Sequence, residues 1–178
     1  GNGEPTSAEE FPQIILIVKK VLEEFNLLHK IKLRLITNGS LMHQSPVIKS
    51  VEMLKEINGE VWFKVDAVTE ESIQIINQVN LKRHQILERL KNCATACPTF
   101  VQTCIFSIDG KNPSEKDIDA YVQLMSEIKS DIQGVHIYGL ARPSLQPQAK
   151  RLGRISKEVL EGIAKKLRYL QIETTVSF

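Results

Sequence analysis

The sequence predicts one α/β domain in which parallel strands are joined by helical crossovers, as a sheet or a barrel. Two observations predict it. Segments with a two-residue apolar period take turns with segments of helical period along the whole chain, and that alternation favours parallel strands with right-handed connections. The 178 residues, 42% apolar and 25% charged, are enough for one compact domain with a real core and too few for two ordinary ones.

Each element has its own signal. Ser7-Ala8-Glu9-Glu10 has the form of a capping box, and apolar residues then recur at Phe11, Ile14, Ile15, Val18, Val21, Leu22 and Phe25 with helical spacing. Pro12 falls in the first turn, where a missing N–H costs little. Residues 31–37 alternate apolar and basic side chains and end at the turn former Asn38-Gly39, as a strand does. A helix is predicted from Ser45 to before Gly59, with Val47, Val51 and Leu54 inward. Residues 60–67 form the next strand, with Val61, Phe63 and Val65 on one face and Trp62, Lys64 and Asp66 on the other.

Thr69 caps a short helix through Ile76, and a further helix spans 82–91. Residues 99–108, rich in β-branched and aromatic side chains, read as one strand. Ser114 caps a helix that turns Ile118, Tyr121, Val122, Met125 and Ile128 inward. Residues 135–140 form another strand, and 141–155 a polar loop. Ser156 caps a helix through Leu167, and 170–178 alternate as a last strand.

The composition excludes several classes of function. The longest apolar run, Ile14 to Val18, is stopped by Lys19-Lys20, far short of the roughly 20 residues that a bilayer requires. The first ten residues carry Glu4, Glu9 and Glu10 instead of a basic leader. A formal charge of +2 is too small to argue for nucleic acid or an anionic membrane. The three cysteines are expected to be reduced thiols in the cytoplasm. Walker A, dinucleotide-binding, His-Glu-x-x-His and Gly-x-Ser-x-Gly patterns are absent from the sequence.

The motifs at the predicted strand ends carry a resemblance. Gly1-Asn2-Gly3-Glu4-Pro5-Thr6 opens the chain with a Gly-rich turn leading into a helix. Thr37-Asn38-Gly39-Ser40 follows the first strand, and Lys64-Val65-Asp66-Ala67 ends the second. Gln102-Thr103 lies in the third, and Tyr138-Gly139-Leu140-Ala141-Arg142-Pro143 closes the fourth. In this order they resemble the radical S-adenosylmethionine (radical SAM) enzymes, whose Gly-Gly-Glu and Thr-Asn-Gly motifs follow the second and third barrel strands. The resemblance implies an incomplete parallel (β/α) barrel of radical SAM type, about strands three to six plus a trailing strand. It also implies a chain that starts downstream of the first two strands.

The resemblance implies the site as well. Gly3 and Glu4 would hold the amino group of the S-adenosylmethionine methionine moiety, and Asn38 and Ser40 would reach its ribose or carboxylate. Lys64, Asp66 and Gln102 would serve cofactor or substrate, and Arg142 would pair with a carboxylate or phosphate. The parent enzyme would use a 4Fe–4S cluster to cleave the cofactor reductively, giving a 5′-deoxyadenosyl radical that abstracts hydrogen from its substrate. Candidate substrates are a glycyl-radical protein, a small molecule or tRNA, since activating enzymes, iron–sulfur oxidoreductases and tRNA-modifying relatives share the pattern.

The family's cluster is held by Cys-x3-Cys-x2-Cys after the first strand. Cys93 and Cys97 have the first spacing, but the third position is Phe100, and the pair lies between the second and third strands of this chain. They are therefore read as structural thiols, Cys104 as a small strand residue, and the chain as holding no metal site and no radical activity of its own. His136, between Val135 and Ile137, is read as structural. The basic run Lys150-Arg151-Leu152-Gly153-Arg154 with Lys157 is read as solvated loop charge, with an anionic substrate as the alternative. Exposed sheet edges would let such a chain self-associate. The rival reading is a non-catalytic α/β ligand- or partner-binding domain, and a Cys-x3-Cys-x2-Cys segment encoded upstream discriminates the two.

Overall fold

The strands stand in the order β1-β2-β3-β5-β7 in a mostly parallel five-stranded sheet, in a computed structural model that describes residues 3–141 and 147–178. They are β1 (Leu33–Thr37), β2 (Gly59–Lys64), β3 (Thr99–Cys104), β5 (Gly134–Tyr138) and β7 (Thr174–Ser177). A two-stranded ladder, β4 (Ser107–Ile108) with β6 (Leu152–Gly153), is antiparallel. The helices are α1 (Phe11–Glu24), α2 (Ser45–Glu56), α3 (Glu70–Ile76), α4 (Arg83–Ala96), α5 (Glu115–Ile128) and α6 (Lys157–Tyr169). Among the described residues, no helix is long and apolar enough to cross a membrane.

The chain divides into two compact units. One gathers the chain up to Lys64 with His84–Phe100 and Asp131–Gln133; the other gathers Val65–Arg83, Val101–Ser130 and the chain from Gly134 onward. In the first, β1 and β2 run parallel with Leu33 opposite Gly59 and Thr37 opposite Phe63. Its core holds Phe11, Leu22, Leu35, Val51, Leu54, Val61, Phe63 and Leu90. Arg34 lies 5.1 Å over the Trp62 ring and donates to Glu60, which also accepts from the indole N–H. Burial pushes the Glu60 carboxyl up, but the hydrogen bonds and the positive charge of Arg34 outweigh it and hold the group below its ordinary value.

In the second unit β5 and β7 are parallel, with Val135 opposite Thr174. Val101, Tyr121, Leu124, Met125, Ile137, Leu160 and Leu167 fill its core. The caps here follow the sequence: Thr69 accepts from the Ser72 N–H, Ser114 from Asp117 and Ser156 from Val159.

Three expectations are corrected. The capping box at Ser7 does not form. Residues 5–7 make a 3-10 turn, the Ser7 hydroxyl donates to the Glu4 carbonyl, and α1 starts at Phe11 behind Glu10, whose side chain caps nothing. Residues 99–108 are not one strand: β3 ends at Cys104, and β4 pairs instead with a strand inside the segment read as polar loop. That segment also contains a 3-10 turn at Pro147–Arg151. Helix α1 is less buried than its period suggests, because only Phe11, Ile15 and Leu22 are covered. Ile14, Ile17, Val21 and Phe25 leave an apolar stripe exposed.

Candidate functional site

In the first unit, the carboxylate of Glu4 joins two turns. Its Oε1 accepts from the Thr6 N–H at 3.2 Å and from the hydroxyls of Thr6 and Thr37, each at 2.6 Å. Its Oε2 accepts from the Asn38 N–H at 2.7 Å. Thr6 and Thr37 are almost wholly buried, at 3% and 1% exposure, so their bonds to Glu4 are partly shielded from water, whereas the Asn38 N–H bond is exposed. The turn that follows is closed from within: the Gly39 N–H donates to the Thr37 hydroxyl and the Ser40 N–H to Asn38 Oδ1. Gly39 has a φ of 67°, and a Cβ there would collide with the buried Phe63 ring.

What the turn leaves over decides what it can bind. Asn38 is exposed, and among the described residues neither its Nδ2 nor the Ser40 hydroxyl has a hydrogen-bond partner. Among the described residues, nothing lies within 4 Å of a Cβ built on Gly3, so the backbone there is open to a ligand. Free donors beside open backbone suit an acceptor group of a ligand, such as a carboxylate.

The other expected residues lie elsewhere. Lys64 ends β2 in the first unit and is half-buried, in step with Trp62. Asp66 and Gln102 belong to the second unit. There Asp66 accepts the Cys104 N–H at 2.9 Å, and the Gln102 carbonyl accepts the Val65 N–H. Asp66 also borders a cavity of about 610 Å³ with Val68, Phe106, Lys111, Ile118 and Tyr121. The Tyr121 hydroxyl pairs at 2.7 Å with Thr103, and burial pushes it well above its ordinary pKa. Arg142 lies outside the described residues. His136 Nδ1 meets the Thr175 hydroxyl at 2.6 Å. Of the basic run, Arg151 is held by Asp109 through two nitrogens, and Lys157 lies over the Phe178 ring.

Cys93, at the end of α4, and Cys97, just after it, do not fit a cluster. Both are buried, Cys93 against the Thr99 hydroxyl and Cys97 against the Gly59 carbonyl. The third position of the cluster spacing is Phe100, and burial raises both thiols from 9.0 to about 12. Among the described residues, no group of three or more His, Cys, Asp or Glu could hold a metal ion. At pH 8 roughly one thiol in ten thousand would be ionised. Iodoacetamide followed by mass spectrometry is therefore expected to label half-buried Cys104 well before the other two. Above pH 9 the unfolded thiols ionise while the folded ones do not. The stability present below pH 9 is thus expected to fall as pH rises toward 12, and a flat urea midpoint from pH 8 to 10.5 would contradict it.

Thr6 and Thr37 are the residues that motif reading passes over. A signal for Thr37 exists in the alternation of β1. Leu35 and Thr37 share the buried face, and a buried hydroxyl needs a partner.

Parallel strands, helical crossovers and polar turns at strand ends define an α/β architecture. No protein-family model and no curated protein matches the chain. Solved structures do. A domain of the pyruvate-formate lyase-activating enzyme from Bacteroides vulgatus is 16% identical with a TM-score of 0.68, covering 100% of this chain and 96% of that one. SuiB of Streptococcus suis, in its structure bound to S-adenosylmethionine, is 10% identical with a TM-score of 0.65, covering 98% of this chain and 35% of SuiB. A radical SAM methyltransferase from Sphaerobacter thermophilus is 14% identical with a TM-score of 0.54, covering 81% of this chain and 39% of its own. The chain thus has the fold of radical SAM enzymes, the expected incomplete (β/α) barrel, and spans little more than a third of SuiB.

Proposed function

We propose that this chain is the later part of a radical SAM enzyme core and that its first unit supplies one side of the cofactor pocket. The observation that carries the reading is the Glu4 bridge. Two turns whose motifs resemble the family's, with Glu4 and Thr37 33 residues apart in sequence, are tied together by one carboxylate at the start of a fold that radical SAM enzymes share. Gly3, Glu4, Asn38 and Ser40 would border the methionine end of the cofactor. Lys64, Asp66 and Gln102, at or near strand ends, would serve cofactor or substrate.

Bound beside a reduced 4Fe–4S cluster, S-adenosylmethionine supplies a 5′-deoxyadenosyl radical for hydrogen abstraction. The cluster thiolates would come from a Cys-x3-Cys-x2-Cys segment outside this chain, because Cys93 and Cys97 are buried against Thr99 and Gly59 and the third position is Phe100. What this chain contributes is binding and orientation. A protein or peptide substrate is favoured by two similar structures, SuiB bound to its precursor peptide SuiA and an enzyme named for activating pyruvate-formate lyase.

With one side of the pocket alone, affinity for S-adenosylmethionine should be weak, on the order of millimolar. Titrating the isotope-labelled chain is expected to shift the amide resonances of residues 3–4 and 38–40. Saturation elsewhere, or no shift there at roughly 10 mM ligand, would sink the cofactor reading.

A further inference from the structure

Resting on that cofactor reading, we propose that Glu4 is a positioning residue and not a ligand. With Thr6 and Thr37 it locks the Asn38–Ser40 turn, which then takes a carboxylate of the ligand through Asn38 Nδ2 and the Ser40 hydroxyl. Three donors of the chain crowd Oε1, which has two lone pairs, and the Asn38 N–H takes one of the two places on Oε2. Three of the four contacts, at 2.6–2.7 Å, are in the range of strong charge-assisted hydrogen bonds. An ammonium from a ligand is left the one remaining place on Oε2, beside the Asn38 N–H, because the buried Thr6 and Thr37 hold Oε1.

The lock also has a direction. The Gly39 N–H donates to the Thr37 hydroxyl, and that hydroxyl donates its one proton to Glu4. Each bond in such a chain polarises the next. The Asn38 N–H is drawn to the same carboxylate, so the backbone of two successive turn residues is fixed from one side. The Asn38 carbonyl oxygen of the side chain is spent on the Ser40 N–H, which turns its amide nitrogen outward as a donor. A site of donors selects an acceptor, and a carboxylate is the strongest acceptor on the methionine end.

The test uses the whole chain with Glu4→Gln, Thr37→Val and Thr37→Ser. Amide hydrogen exchange at Asn38 and Gly39 is expected to speed up about tenfold or more in Glu4→Gln and Thr37→Val. Thr37→Ser, which keeps the hydroxyl, should restore slow exchange, and β5 and β7 should be unaffected in all three. Unchanged exchange in Glu4→Gln overturns the lock. Ligand choice is read by titrating S-adenosylmethionine against its decarboxylated form, which keeps the ammonium and lacks the carboxylate. The proposal expects Glu4→Gln to narrow the preference for the carboxylate-bearing compound. Equal weakening of both compounds would make Glu4 an ammonium ligand and overturn the proposal. If exchange behaves as expected and neither compound shifts residues 38–40, the cofactor reading fails while the lock stands.

Discussion

Replacing Gly39 with alanine is expected to destabilise the first unit by about 2–5 kcal/mol. Two costs add. A φ of 67° is left-handed backbone, worth about 1–2 kcal/mol to any residue with a Cβ. The new methyl also runs into the Phe63 ring, which is 2% exposed and cannot swing into solvent, and overpacking of this kind costs about 1–3 kcal/mol. The turn would answer by moving away from β2, which pulls Asn38 and Thr37 from Glu4. Urea unfolding measures the total. The clash can be isolated with Phe63→Leu, which should cost less in the Gly39→Ala background than in the native chain. If the two substitutions are additive, the collision is not the cause. Loss of slow exchange at Asn38 should accompany the destabilisation, since the same turn is displaced.

In the second unit the largest single effect is expected at Tyr121. Truncation to alanine should cost about 3–5 kcal/mol, the range for a large buried ring. Tyr121→Phe separates the hydroxyl from the ring. It strands the Thr103 hydroxyl, which is 1% exposed, and a stranded buried group costs about 1–3 kcal/mol. Tyr121 borders the cavity, so water can reach the orphaned oxygen and the lower half of that range is expected. Thr103→Val with Tyr121→Phe removes both partners and should cost less than the sum of the single changes. Unfolding midpoints of the three variants decide it, and strict additivity would mean that the 2.7 Å contact contributes nothing.

The order of elements was legible because each rests on local chemistry. The alternation of Val61, Phe63 and Val65 with Trp62, Lys64 and Asp66 fixes which face is buried, and the structure keeps it. Thr69, Ser114 and Ser156 cap helices because a short side-chain oxygen followed by a helical period has few other uses. The failures share one cause, competition from a distant or unforeseen partner. Ser7 resembled a cap, but Pro5 and the Glu4 carboxylate hold residues 5–7 in a tighter turn. Ile108 continued a strand-like run, yet its partner is Leu152, 44 positions along, and two-residue strands leave almost no period to read.

The sequence by itself determined the alternation of strands and helices, the inward faces and the motifs whose resemblance names a fold. These depend on neighbours one to four residues apart, which a linear reading contains. Only the tertiary structure showed what Glu4 touches. Its partners are Thr37 and Asn38, 33 and 34 residues away. A carboxylate beside glycines reads as a ligand, and only the fold shows the four donors of the chain itself that reach it. The same holds for Cys93 and Cys97, whose spacing suggests chemistry and which the fold buries against Thr99 and Gly59. Spacing offers a group for a role, and the solvent and partners supplied by the fold settle whether it is available.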